Sequence, residues 1–379
     1  MSKIIIYFTT AQNKNDFASF LTKWKVSPNL SNQNFHNKLI RSLALTKNVD
    51  VISVRPINKN YSEKKLEYST NKEGKITWKY IKVTNNRIDK KLFLKSRIAS
   101  VEKNVSSDDI VIVDTLNLSL LENAYNFAKK NKLKIIGVCT DNPKNISFTS
   151  ESYKEKLLKI SRKLDAFICL TQKLDELYNL ENKPSVIIDG VNEDNIVKHS
   201  NYCIDGQYIF FGGSLMHEYG AHNLIKAFDD LNRDDLKLVI CGHHEENGFK
   251  QFLKNFNNVI YLGALNYDDV SYLEQHALIA VNPRPINPDI DDYSIPSKTL
   301  EYLSNGVLTI ATENTQLKDN YGPAIIWAKS SSVKDLKNAL EQALDLSEEE
   351  TNQIKKLAKE LVNKRTSLEN INKLLETLF

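Results

Sequence analysis

Arg284, Ser294, Ser297, Lys298 and Glu301 crowd into one short stretch of the chain, and their types suit the binding of a phosphate. Ala277 to Val281 is an apolar run that reads as a buried strand, and it empties into the Pro-rich loop Asn282-Pro283-Arg284-Pro285. A helix is expected from about Ser297, because Pro296 stands just ahead of it and Glu301 falls one turn in. Gly306 ends that helix, and Val307-Leu308-Thr309-Ile310-Ala311 begins the next strand. The loop therefore delivers two cations and two serine hydroxyls onto a helix N-terminus. Free backbone N–H groups and the positive end of the helix dipole favour an anion there. Glu301 can accept two hydrogen bonds from a diol. A dipole-stabilising glutamate at a helix start is the structural alternative.

Other strand ends carry residues of the same kind. Phe210-Phe211 leads into Gly212 and Gly213, then Ser214. A glycine pair lets backbone approach a phosphate or sugar closely, and turn geometry is its plainer explanation. Cys241-Gly242-His243-His244 ends another apolar run. The adjacent histidines point in different directions and no third ligand is spaced nearby, so no metal is expected. In the first half, Asn32 to Lys38, with Asn34 and His36, opens a helix after a polar loop; the amides either line a ligand pocket or cap the helix. Asp114 follows Ile110–Val113, and Asp141 follows Lys134–Cys139. Both fall where parallel sheets bind ligands, beyond the carboxyl ends of strands.

Tyr293-Ser294-Ile295-Pro296-Ser297-Lys298-Thr299-Leu300-Glu301-Tyr302 resembles the nucleotide-sugar motif of the family 4 retaining glycosyltransferases, which have the GT-B fold. It resembles more closely the "YSFPSKT-EY" signature of a subgroup from bacterial capsule and exopolysaccharide clusters. The resemblance covers most of the chain and is densest from Val186 to Thr312. It implies an α/β fold of two Rossmann-like, doubly wound domains facing a central cleft. It implies a donor site at Gly212, Gly213, Ser214, His243, Leu265, Arg284, Tyr293, Ser294, Ser297, Lys298 and Glu301, with Glu301 on the ribose. Asn34, His36, Asp114 and Asp141 become the acceptor-binding candidates, and Asp141, Tyr293 and Arg284 the catalytic ones. No cofactor and no metal are implied, since helix dipole and cations stabilise the leaving diphosphate. In this family the departing phosphate itself is thought to take the acceptor proton. The chain also departs from the pattern. Tyr293 stands where the family usually has a glutamate on the donor sugar, with Asp291 and Asp292 beside it. Ser214 and Tyr219 stand where the family has an Arg and a Lys for the diphosphate, which leaves Arg284 and Lys298 as the diphosphate partners.

The elements that must position these residues alternate between strand-like runs and helical patterns, which implies parallel sheets of βαβ units. Strands are expected at 3–8, 50–54, 110–113, 134–139, 166–170 and 185–189, then at 208–211, 237–240, 259–262, 278–281, 307–311 and 324–327. Helices are expected at 34–45, 90–103, 118–130, 153–164 and 173–178, then at 223–231, 247–255, 268–274, 297–303 and 334–344. Residues 59–87 read as a β-hairpin or a mobile loop around Gly74. A chain of 379 residues suits two domains: an acceptor-binding domain over 1–189 and a nucleotide-sugar domain over 190–364. The tail has apolar residues at helical spacing, Ile354, Leu357, Leu361, Leu368, Ile371, Leu374 and Leu375. By resemblance its last helix, about 365–379, packs back onto the first domain.

The net charge of +4 hides an asymmetry: residues 1–190 carry 33 Lys and Arg against 19 Asp and Glu, and the remainder is acidic. A basic first half suits an anionic membrane surface or a phosphorylated acceptor, and a solvated lysine coat explains it equally well. No nucleic-acid motif accompanies it. No apolar run approaches membrane-spanning length, the N-terminus reads as a strand, and Cys139, Cys169, Cys203 and Cys241 suit free thiols in a reducing cytosol. The reading is a cytoplasmic glycosyltransferase, at the inner face of the membrane if the basic half contacts it. It moves a sugar from a UDP-linked donor to a growing, lipid-linked glycan. The rivals are a non-catalytic partner subunit, a protein-glycosylating transferase and a nucleotide-sugar epimerase. Homo-oligomerisation is left open.

Overall fold

The computed structural model describes residues 3–24, 31–86, 94–98, 100, 105–146, 149–193, 197–243 and 247–379. The chain divides into two compact units, Met1–Val191 with Leu368–Phe379, and Asn192–Ser367.

The first unit is built on strands β1 (Ile4–Thr9), β2 (Asn48–Ser53), β3 (Lys65–Leu66), β4 (Ser69–Glu73), β5 (Ile76–Tyr80), β6 (Val83–Thr84), β7 (Ile110–Asp114), β8 (Lys134–Cys139), β9 (Ala166–Cys169) and β10 (Ser185–Ile187). Its main sheet has the order β10-β9-β8-β7-β1-β2-β5-β4. Every pairing is parallel except β4 with β5. Ile5 to Thr9 of β1 and all of β7 are buried, the near-continuous apolar run that a strand covered on both faces requires. Helices α1 (Lys14–Leu21), α2 (Ser31–Ala44), α3 (Leu118–Asn131), α4 (Glu151–Ser161) and α5 (Gln172–Tyr178) connect them. The polar stretch expected as a hairpin or mobile loop is a hairpin that turns at Gly74, φ +57°. Its second strand, β5, pairs parallel with β2, so the hairpin extends the main sheet. Tyr80 and Trp78 are the reason, since both bury against that sheet. Helix α1 was not legible as a periodic pattern. It is short, capped by Asn13, and turns Phe17 and Phe20 into a satellite cluster with Trp24, Ile57 and Tyr61. Of the helix expected at 90–103, residues 94–98 and 100 are helical and the rest lies outside the described residues.

The second unit carries β11 (Gln207–Ser214), β12 (Leu236–His243), β13 (Val259–Tyr261), β14 (Ile279–Asn282), β15 (Leu308–Thr312) and β16 (Ile326–Ala328), in the order β13-β12-β11-β14-β15-β16. All are parallel. Counted from its own first strand this is 3-2-1-4-5-6, the dinucleotide-binding order. Helices α6 (Ala221–Asp229), α7 (Phe249–Leu253), α8 (Tyr267–His276), α9 (Pro288–Asp291), α10 (Ser297–Asn305), α11 (Thr315–Tyr321), α12 (Val333–Leu344) and α13 (Glu348–Thr366) accompany it. The short α9 and α11 fall below the length at which apolar spacing is readable.

The tail breaks at Ser367, where ψ of 151° leaves the helical region. Helix α14 (Leu368–Leu375) then joins the first unit. Ile371, Leu375 and Leu378 enter that unit's core. Ser42 Oγ donates to the Leu368 carbonyl at 2.7 Å, and Lys47 pairs with Glu376 at 3.0 Å. All four cysteines are free; Cys139, Cys169 and Cys241 are buried, while Cys203 is exposed. Among the described residues no helix is long and apolar enough to cross a membrane.

Candidate functional site

In a doubly wound sheet the ligand position is the point where strand order reverses. In the second unit that point lies between β11 and β14. Here β11 and β12 stay in register to their last residues, with Gly212 opposite Cys241, Gly213 opposite Gly242 and Ser214 opposite His243. The glycine pair is therefore strand, not turn. The close approach belongs to Gly242, where a Cβ would sit 1.7 Å from the Gly213 carbonyl oxygen. The next loops are stitched to these ends. The Leu215 N–H donates to the His243 carbonyl at 3.0 Å, and the Gly242 N–H to the Gly263 carbonyl at 2.9 Å. Gly220, φ +84°, passes so near β14 that a Cβ would meet the Pro283 carbonyl oxygen at 2.1 Å. Any side chain there would push the segment after β11 away from the Pro-rich loop.

Helix α10 closes the site. It begins at Ser297 behind Pro296, no side chain caps it, and it ends on Gly306. Its start is anchored to β14 by Asn282, whose amide donates to Thr299 Oγ1 at 2.9 Å. Lys298 reaches across to the glycines: its Cε lies 3.9 Å from where a Cβ on Gly213 would be. Burial pulls the Lys298 ammonium down, but Glu301, then Glu274, and the Cys241 sulfur more than offset this and hold it above the ordinary lysine value. Burial pushes the Cys241 thiol up to about 12. Tyr302 is buried, and its hydroxyl accepts from the Gly212 N–H at 3.2 Å. That N–H is thus committed to the protein rather than to a ligand. Burial first, then Glu274, raise this phenol well above its usual value.

The remaining donor-site candidates are placed as follows. Ser214 Oγ is buried with no hydrogen-bond partner among the described residues. Ser297 is exposed at the helix start, and Glu301 is half-buried one turn on. Arg284 faces Asp291, Nη2 to Oδ1 at 3.5 Å, and its carbonyl accepts from Thr312 Oγ1. Asp291 thus sits on the arginine. Ser294 donates to the Ile290 carbonyl at 3.1 Å, and the Tyr293 N–H does so at 3.0 Å, so both serve the turn after α9. Leu265 packs on the cluster of Tyr208, Phe210 and Cys241. His243 is exposed, while His244 lies outside the described residues, among which no three His, Cys, Asp or Glu side chains group as a metal would need.

In the first unit the order reverses between β1 and β7, and His36 and Asp114 meet there. His36 Nε2 lies 3.4 Å from Asp114 Oδ2, and both side chains are almost wholly buried, at 0% and 2% exposure. The Tyr7 hydroxyl is 2.6 Å from His36 Nδ1. Burial works to raise the Asp114 carboxyl, but the His36 imidazole, the Leu116 N–H and the Asn32 amide hold it below the usual carboxylate range. Buried to this degree, neither His36 nor Asp114 presents its side chain to an acceptor. The amides of α2 are likewise occupied. Gln33 Nε2 and Asn37 Nδ2 each donate to the Gln12 carbonyl at 2.7 Å, which pins the loop after β1. Asn34 is half-buried. Asp141 Oδ1 accepts from the Asn142 N–H at 2.7 Å and from Asn145 at 3.2 Å, as a turn-closing carboxylate does.

Sequence reasoning missed Tyr302 and Glu274. Glu274 is 2% exposed and accepts from Asn305 Nδ2 at 2.8 Å. A signal existed: Val270, Leu273 and Ala277 form the apolar stripe of α8, and Glu274 holds the i+4 place in it.

Residues 194–361 match the model of the family described as glycosyl transferases group 1. Solved structures of similar fold include an α,α-trehalose 6-phosphate synthase from Burkholderia multivorans, at 11% identity and TM-score 0.69 over 100% of this chain and 98% of that one. A sucrose-phosphate synthase from Thermosynechococcus elongatus follows at 12% and 0.68, over 99% and 98%. An E. coli structure described as trehalose-6-phosphate bound with UDP-2-fluoro glucose is similar at 11% and 0.67, over 99% and 98%. No curated protein matches the sequence. The group 1 match lies on the unit that holds the uncapped helix and its lysine, and the likeness to these solved structures gives the chain the GT-B glycosyltransferase fold of two Rossmann-like domains.

Proposed function

We propose that the chain transfers a sugar, with retention, from a UDP-linked donor to a growing glycan, a lipid-linked cell-surface polysaccharide intermediate. The second domain takes the donor and the first takes the acceptor. The observation that carries the donor half is the start of α10: an uncapped helix end, with Lys298 against Gly213, at the switch point of a 3-2-1-4-5-6 sheet. The helix end and Lys298 receive the diphosphate, joined by the orphaned hydroxyl of Ser214, and Glu301 takes the ribose diol. Arg284 reaches the diphosphate by exchanging Asp291 for it. The UDP sugar in the similar E. coli structure supports uridine as the base. The basic charge of residues 1–190 supports an acceptor bearing phosphate or lying at an anionic membrane. One observation favours a second reading, a non-catalytic partner: Ser214 and Tyr219 supply no cation where the family has two.

A thermal-shift series with UDP, GDP, dTDP and their sugars tests the donor half. A ligand at 100 times its Kd adds about 2.7 kcal/mol of stability. A shift with UDP that Glu301→Ala abolishes is expected. No shift with any nucleotide defeats this proposal. Release of UDP from UDP-sugars by the pure protein separates an enzyme from a partner subunit.

A further inference from the structure

We propose that Glu274 is a positioning residue of the donor site, a buried fixed counter-ion that keeps the Lys298 ammonium charged beside Gly213 whether or not a nucleotide is bound. This rests on the donor site read above. The geometry comes from two helices. On α10, Lys298, Tyr302 and Asn305 stand at i, i+4 and i+7, so they share one face. Asn305 ends that face and donates its amide to Glu274 Oε2 at 2.8 Å. It is held in turn by Gln275, whose Nε2 donates to Asn305 Oδ1 at 3.2 Å. Glu274 thus enters from α8 alongside the stripe that touches both glycines, Tyr302 at Gly212 and Lys298 at Gly213.

Among the described residues, three titratable groups act on the Lys298 ammonium. They are Glu301 on its own helix, Glu274 on α8 and the Cys241 sulfur on β12. Cys241 ionises only at about 12 and is a neutral thiol in the working range. Glu301 is exposed enough to meet a ligand and, once it accepts hydrogen bonds from a ribose, is drawn toward that partner. Glu274 is sealed and cannot leave. An ammonium taken into a low-dielectric site loses its proton unless an opposite charge stays near. A neutral amine at 298 would hold a diphosphate poorly, so the buried glutamate maintains the charge that the ligand needs.

Glu274→Gln tests this, because the amide keeps the size of the side chain and an acceptor for Asn305 while removing the charge. Two readouts are taken. The ionisation of Lys298 in the unliganded protein is followed by NMR of 15N-lysine, assigned with Lys298→Arg. UDP affinity is measured by calorimetry from pH 6.5 to 9.5. We expect Glu274→Gln to lower the Lys298 ionisation by about two pH units or more. We expect its UDP affinity to stay within about 3-fold of wild type at pH 6.5 and to fall about 10-fold or more below it by pH 9.5. Glu274→Asp, shorter but charged, is expected to restore the wild-type pH profile. An unchanged Lys298 titration, or UDP affinity weakened equally at every pH, overturns the proposal and leaves Glu274 as a tether between helices. If Glu274→Gln does not fold, Glu301→Gln decides: Lys298 should remain charged through pH 9 on Glu274 alone, and its neutralisation there overturns the proposal. If wild-type protein binds no UDP at any pH, the donor reading fails, and the Lys298 titration still decides the role of Glu274.

Discussion

At the end of β7 a carboxylate, Asp114, is sealed against an imidazole and an amide; at the end of β11 a lysine lies against a glycine under an uncapped helix. Both places are switch points of doubly wound sheets, and both gather charge there. The first is closed. His36 lies buried between the Tyr7 hydroxyl and the Asp114 carboxylate, and Gln33 with Asn37 fastens the loop after β1. The second leaves capacity unused: helix N–H groups without a side-chain cap, the Ser214 hydroxyl without a partner among the described residues, and a cation with a carboxylate behind it. The same topology thus makes a sealed charge pair in one unit and, in the donor reading proposed above, a ligand cradle in the other. What separates them is exposure: His36 and Asp114 are sealed, while Ser297 is exposed and Lys298 half-buried at the helix start.

The largest test of that contrast is Asp114→Ala. Removing one member of a buried pair typically costs about 3–5 kcal/mol, so urea denaturation should show a loss of that size. UDP affinity of the folded fraction should stay within about 3-fold. If UDP binding vanishes while stability holds, the first switch point is a ligand site and the contrast breaks. Lys298→Ala comes next. A lost charged hydrogen bond is worth about 1.5–3 kcal/mol, so calorimetry should find UDP bound roughly 10- to 100-fold more weakly. Unchanged UDP affinity would remove the cradle from the second unit. The smallest effect is in acid. The Asp114 carboxyl is depressed in the folded state, so its stabilisation is full above the unfolded value of about 3.9 and is lost as pH falls through the folded one. Its share is at most about 1.4 kcal/mol per pH unit below that value, and Asp114→Asn should flatten the stability curve there by a similar amount. A wild-type curve already flat in that window would deny the pair its electrostatic role.

The start of α10 at Ser297 and its end at Gly306 were readable because proline and glycine act locally, through fixed φ and a left-handed cap. The buried strands were readable because both faces are covered and the apolar runs are unbroken. The stretch around Gly74 was readable as a hairpin or a mobile loop, and the choice between them and the joining of the main sheet were not, since pairing with β2 depends on residues far away in the chain. Arg284 was legible as a cation, while its pairing with Asp291 came from the turn of α9, too short to show a period. Ser214, Lys298 and Glu301 were legible by type and place. Glu274 and Tyr302 were not, because what matters in them is burial beside another helix.

The sequence by itself determined the two-part α/β plan, the run of parallel strands and the helix start that suits an anion, because turn chemistry and hydrophobic period are local properties. Only the tertiary structure decided which charges are sealed and which stay available. Charge availability depends on the residues packed around each group, and those come from strands and helices distant in sequence: α2 against the end of β7, and α8 against α10.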